Sequence, residues 1–161
     1  DPFGCIGTES FTLIEPDAVT FSFVTSDFNG YDVSCSGGND GTISVTFSGG
    51  AIGPNMATFT WTSAVMPSTT STSITNLSAA NYICEVEDMN GCFYTDNITL
   101  NEPTLITLTE TSTPTTCNGD IDGTATVTAT GGVINTYSYD WGALAANQTN
   151  ATATALAGST T

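Results

Sequence analysis

Not one lysine, arginine or histidine occurs in this chain, which carries sixteen Asp and Glu among 161 residues and a formal charge of −16. That absence excludes more than any motif. No side-chain salt bridge can form, so stability rests on apolar burial, backbone hydrogen bonds and whatever disulfides or cations the fold takes up. Nucleic-acid binding is ruled against, because it depends on Lys and Arg neutralising phosphates. Attraction to an anionic membrane surface fails for the same reason. Nucleophilic catalysis of the Ser–His and Ser–Lys kinds lacks its bases. Paired carboxylates alone serve glycoside hydrolysis, but no spacing here marks a cleft, and no enzyme is expected.

Other things are missing too. No apolar run approaches the roughly 20 residues of a membrane helix, so no direct membrane insertion is expected. There is no initiator Met and no signal-peptide pattern. No segment shows the 3.6-residue period of an amphipathic helix, which predicts almost no helix. High acidity with few aromatics is a mark of disorder. Here the hydrophobic fraction is 39%, and the apolar residues alternate with Thr and Ser as on a stiff, uncharged sheet face. The chain is therefore expected to fold.

What is present is repetition. The segment Asp1 to Pro16 returns as Asp88 to Pro103, sharing Asp, Gly, Cys, Thr, Thr, Leu, Glu and Pro at matching places. Internal repetition on this scale points to an array of small domains. Residues 1–16 are expected to be the last strand of a preceding repeat, with Phe11 and Leu13 on one face like Ile98 and Leu100. Because Asp1 falls in mid-repeat, the chain reads as a piece of something longer.

Residues 17–103 form a complete unit. Val19, Phe21 and Phe23 alternate with Thr20 and Ser22, and Ile43, Val45 and Phe47 do the same in the next strand. Strands follow around Phe59 and Trp61, at residues 73–77, around Tyr82, Cys84 and Val86, and at residues 92–100, with Asn90-Gly91 as the last hairpin signal. Residues 67–72 are a polar turn or a short edge strand. Residues 104–161 restart the pattern: Cys117 matches Cys35, Gly131-Gly132 match Gly49-Gly50, Tyr139-x-Trp141 matches Phe59-x-Trp61, and Leu156 matches Leu77. This unit is expected to lack its last two strands. The fold expected is all-β, a tandem of immunoglobulin-like β-sandwich repeats with Trp as a core filler.

Five cysteines in a turn-rich β chain favour an oxidising, extracellular setting. Cys35 and Cys92 flank the complete unit, and Cys117 and Cys5 are their counterparts in its neighbours. A Cys35–Cys92 bridge would stabilise one sandwich by about 4 kcal/mol on the loop-entropy model. Strand order sets them at opposite poles, since a six-residue strand spans about 20 Å and bridged Cα atoms lie within about 7 Å. A bond between cysteines of adjacent repeats is preferred to Cys35–Cys92. Cys84 is expected to be a buried small hydrophobe.

Asp40, Asp120 and Asp122 offer oxygen ligands on short spacing, which suits Ca²⁺, the one cofactor the sequence suggests. The plainer reading is that Asp-Gly makes a tight turn into the following strand. Glu15 and Glu102, at the unit junctions, would complete a cation site between domains. Phe59 with Trp61, and Tyr139 with Trp141, read as core rather than as a sugar-binding platform. Asn76, Asn97, Asn147 and Asn150 match the N-glycosylation pattern, which chance readily produces in so Thr-rich a chain.

Taken in order, the Val33-Ser34-Cys35 and Gly37-to-Gly41 loop, Gly49-Gly50, Phe59-x-Trp61, Ile74-to-Leu77, Tyr82-to-Val86, Asp88-x-x-Gly91-Cys92 and Glu102-Pro103 resemble the SprB-type repeat of Bacteroidota surface proteins. Ala80 departs from the family's usual Gly, and Cys84 from its usual Val. The resemblance implies a repeat segment of a large cell-surface adhesin of the gliding-motility type, exported by type IX secretion from a Gram-negative bacterium. Its partners would be neighbouring repeats of the same chain, and surface glycans or other cell-surface proteins. It names no catalytic residue. Two other functions stay open: a Ca²⁺-dependent glycan- or protein-binding module, and a filament subunit exchanging residues 1–16 as a strand.

Overall fold

The computed structural model describes residues 7–51, 58–133 and 136–158. Among these, regular structure is almost entirely β, with one 3₁₀ turn at Ala143–Ala145. No helix there is long and apolar enough to cross a membrane.

Among the described residues the first unit holds seven strands in two sheets. One sheet pairs β1 (Thr20–Thr25), β2 (Gly41–Ser48) and β5 (Ser73–Leu77), in the order β1-β2-β5. The other runs β4 (Met66–Thr69), β3 (Thr58–Ser63), β6 (Asn81–Glu87) and β7 (Phe93–Thr99), in the order β4-β3-β6-β7. Every pairing is antiparallel. The period-two sequence explains the layers: Ile43 and Val45 face inward from β2, while Phe59 and Trp61 face them from β3 and Tyr82, Cys84 and Val86 from β6. Aromatic rings lock the sheets together, with Phe47 edge-on to Phe59 at 5.0 Å and Phe23 tilted on Trp61 at 5.9 Å. Trp61, wholly buried, donates its indole N–H to the Ser71 carbonyl at 2.8 Å. A buried indole needs such a partner, and this one also anchors the approach to β5.

Tyr82 donates its hydroxyl to the Ser78 carbonyl at 2.8 Å. This tyrosine at the start of β6, bonded to backbone a few residues upstream, marks the immunoglobulin-like class of sandwich. Cys84, two residues on, occupies the place of the inter-sheet disulfide cysteine in antibody domains. Here it is a buried thiol packed among core residues, and burial, followed by the nearby Asp96 charge, pushes its pKa up to about 11.

The second unit shows one three-stranded sheet: β8 (Thr107–Thr113), β9 (Gly123–Thr130) and β10 (Thr152–Leu156), in the order β10-β9-β8. This reproduces β1-β2-β5 in detail. Val45 and Val127 each donate their amide to the residue before the third strand, Thr72 and Ala151, at 2.9 Å. Both third strands carry a bulge opposite the start of the second, with Asn76 (φ 58°) and Ala155 (φ 57°) in the left-handed region. Trp141 donates its indole N–H to the Asn150 carbonyl at 2.8 Å, as Trp61 does to Ser71.

The opposing layer differs. Tyr139-x-Trp141 was expected to form a third strand, yet residues 136–142 pair with no strand among the described residues. The reason is visible in the first unit. There β3 is held between β4 and β6, with Phe59 opposite Val86 and Trp61 opposite Cys84. The second unit shows no counterpart of β6 among the described residues to supply that ladder. Its inner face is open, forming a cleft of about 440 Å³ lined by Ile106, Leu108, Val127, Tyr137, Tyr139 and Trp141.

Candidate functional site

The features that sequence reasoning marked out gather at the two poles of the first unit. At one pole β2 begins and β7 ends; the other has the reverse. Cys35 lies at the first, in the loop leading to Gly41. Asp40 accepts the Ser34 amide at 3.0 Å, and the Gly38 amide donates to the Cys35 carbonyl at 2.9 Å. Donation from Ser34, its side chain first and then its backbone, holds the Asp40 carboxyl below its ordinary range. The second unit repeats the device: Asp122 accepts the Thr116 amide at 2.9 Å and the Thr116 hydroxyl, and the Asp120 amide donates to the Cys117 carbonyl at 3.1 Å. Donation from the Thr116 hydroxyl, then its amide, lowers the Asp122 pKa.

Of the three candidate metal ligands, Asp40 and Asp122 are thus matched loop-closing carboxylates in different units. Asp120 stands at the position of Gly38. Among the described residues no three Asp, Glu, Cys or His side chains gather as a metal would need. Glu102 accepts the Gly37 amide at 2.8 Å, and Glu15 is exposed.

The exit of the first unit is fastened to this same loop. The Asp32 and Val33 amides donate to the Asn101 carbonyl at 2.9 and 3.2 Å, and the Asn101 amide returns a bond to the Asp32 carboxylate at 2.9 Å. With the Glu102 bond, four hydrogen bonds tie residues 101–102 to the loop, and Pro103 is buried beyond them. Proline limits the backbone where the chain leaves one unit for the next. Between the units lies a mainly apolar cleft of about 260 Å³, bounded by Cys35 and Pro103 on one side and by Leu105, Ile106, Gly132 and Val133 on the other.

At the opposite pole lies Asp88, which the sequence marked only as the first residue of Asp88-x-x-Gly91-Cys92. Its carboxylate is buried and accepts three amides: Asn90 at 2.9 Å, Cys92 at 3.0 Å and Ala51 at 3.2 Å. The Cys92 amide is the largest cause holding its pKa below the ordinary value. Asp88 therefore shapes the β6–β7 turn and pins it to the Gly49-Gly50-Ala51 loop, which the Met89 amide also reaches through the Ala51 carbonyl at 3.3 Å. The signal available in sequence was the Asp-x-x-Gly-Cys spacing, an Asx turn closing ahead of a strand. Gly49 cannot be replaced cheaply: its φ is 87°, and a Cβ would strike the Ala18 carbonyl oxygen. Gly131 stands in the same relation to Leu105.

Cys35 and Cys92 are both exposed and unpaired. The seven residues of β7 lie between the two poles, and at about 3.3 Å per residue this separation far exceeds what a disulfide spans. In this fold Cys35 and Cys92 stand at opposite ends of the unit. Cys117 is likewise free and exposed, and Cys5 lies outside the described residues. Residues 7–16 include no strand, and Phe11, Leu13 and Ile14 are exposed.

The fold is thus all-β: residues 17–103 hold an immunoglobulin-like sandwich of two sheets, and residues 104–158 a three-stranded sheet that repeats the first of them. In comparison with protein families, the SprB repeat model matches the chain at two regions, residues 31–65 and 109–146, one in each unit. Each match includes its unit's loop, second strand and glycine pair. No curated protein and no solved structure matches the chain.

Proposed function

We propose that the chain is a repeat segment of an extracellular surface adhesin or fibre, serving as spacer rather than as catalyst. The observation that carries this is the junction: two SprB repeats follow each other through an Asn101-Glu102-Pro103 exit that is hydrogen-bonded to the body of its own unit. A unit that fixes its own exit sets the direction of the next, which is what a stalk requires of each bead. The charge agrees, since uniformly acidic units repel one another and favour an extended array at low salt. The absence of Lys and Arg removes every cleavage site for trypsin-like proteases, an advantage outside a cell.

The family resemblance extends this to gliding-motility adhesins exported by type IX secretion, on the surface of a Gram-negative bacterium. Partners on this reading are neighbouring repeats within the chain, and surface glycans or other cell-surface proteins beyond it. The test is antibody labelling of intact cells that produce the protein, using serum raised against residues 17–103. Labelling without permeabilisation, lost when type IX export is disabled, is the expected result. Labelling that appears only after permeabilisation would overturn the surface location.

A further inference from the structure

We propose that Cys35 forms a disulfide with the hairpin cysteine of the unit that follows it, so that successive repeats are covalently fastened at the joint. The proposal rests on the tandem-repeat reading and on one internal comparison. In the first unit, the loop after β2 receives the β6–β7 turn: Gly50 donates its amide to the Asp17 carbonyl at 2.7 Å, and Ala51 holds Asp88, whose other oxygen holds the Cys92 amide. In the second unit the same loop is built the same way, with the Gly132 amide on the Thr104 carbonyl at 2.8 Å. Gly132 packs against Ile106 as Gly50 packs against Val19.

The seat that holds Asp88 and Cys92 is therefore already formed in the second unit, at Gly132 and Val133. These two residues share the joint cleft with Cys35 of the first unit. A hairpin of the Asp-x-x-Gly-Cys type, laid over the open face of the second unit, brings its turn to Gly132-Val133 and its cysteine to the mouth of that cleft. The open face supports this occupant over others. Its residues stand where β6 and β7 cover the first unit, and Tyr139 and Trp141 occupy the positions of Phe59 and Trp61. The relation is directional: Cys35 points the unit forward to its successor, and Cys92 back to its predecessor. Bond formation removes two protons and two electrons from the thiol pair. An external disulfide oxidant accepts them and leaves as two thiols, in keeping with an extracellular chain.

The test completes the second unit on the existing chain. Residues 1–156 are followed by a second copy of residues 78–103, which supplies a hairpin with its own Asp88 and Cys92. In this chain, with Cys92→Ser in the first copy alone and Cys84→Val in both, exposure to oxidised glutathione and mapping with a Glu-specific protease under non-reducing conditions are expected to find Cys35 linked to the second copy's Cys92. The Cys35→Ser chain is expected to leave that cysteine free. Hairpin docking is followed separately, through shielding of Trp141 from acrylamide quenching. Docking with Cys35 still a thiol, or bonded elsewhere, overturns the disulfide alone. Failure of the hairpin to dock overturns the repeat geometry and the disulfide with it.

Discussion

The two units share their loops, their glycine pairs, their tryptophan bonds and their first sheet, yet among the described residues only one has a closed core. In the unit 17–103, Ile43 and Trp61 are wholly buried; in the unit 104–161, Leu108 is 62% exposed and Ile106 53% exposed. The sheet β10-β9-β8 forms with the register of β1-β2-β5 all the same. The difference separates two jobs that one sequence pattern performs. Turn chemistry and cross-strand pairing shape each sheet locally, while burial waits for the second sheet, whose centre is β6. Part of the contrast is also written in the strands. Glu110 stands where Phe23 packs on Trp61, and Ala125 and Ala129 stand for Ile43 and Phe47, so the second face has less to bury.

The largest effect that sharpens this contrast comes from its paired tryptophans. Trp61→Ala empties the centre of a closed core and is expected to cost about 3–5 kcal/mol. Trp141→Ala is expected to cost about 1 kcal/mol, the worth of its bond to Asn150. Urea titrations of the two variants measure both, and equal losses would break the comparison. Next comes Tyr82→Phe, which strands the Ser78 carbonyl at the corner and is expected to cost about 1 kcal/mol; a neutral result would deny the corner its role.

Backbone strain divides the units in the opposite sense. Both bulges hold a left-handed residue, Asn in the closed unit and Ala in the open one. Alanine tolerates that conformation poorly, so Ala155→Gly is expected to stabilise β10, whereas Asn76→Ala destabilises β5 by about 1 kcal/mol. Strand-resolved hydrogen exchange distinguishes the two signs.

Acid provides a further test. The Asp40, Asp88 and Asp122 pKa values are lowered in the fold. Their contribution is present above the unfolded carboxylate value of about 3.9 and is lost as pH falls through the folded values. Asp40 and Asp122 occur one to a unit, but only the closed unit shows Asp88. Asp88→Asn is therefore expected to lessen the acid sensitivity of the 17–103 unit while lowering its stability at neutral pH, followed by thermal melts from pH 7 to 3. The smallest effect is chemical: iodoacetamide is expected to modify Cys35, Cys92 and Cys117 in the native chain and to spare Cys84, which is buried and whose pKa is about 11.

Much of this was legible in the sequence because it is local. Alternation placed the strands, Asn90-Gly91 placed the last hairpin, and the paired glycines placed the loops that tolerate no Cβ. The inward set of Ile43, Val45, Phe59, Trp61, Tyr82, Cys84 and Val86 followed from period two alone. What escaped depended on distant partners. Tyr139-x-Trp141 carries a strand pattern without its neighbours, and a pattern cannot supply the ladder that β6 gives to β3. The role of Asp88 was hidden, because its bond to Ala51 joins residues far apart in the chain. The exit was legible only as Glu102-Pro103 at a unit junction, since its fastening needs Asp32 on another loop.

The central claim, that one unit is closed by its β6–β7 hairpin while the other presents a formed sheet with an open face, is tested most directly by residue-resolved amide exchange on the 161-residue chain. Strands β2, β3 and β6 are expected to share one high level of protection, set by global unfolding of their sandwich. Strands β8, β9 and β10 are expected to exchange orders of magnitude faster. Equal protection across both units would contradict the account.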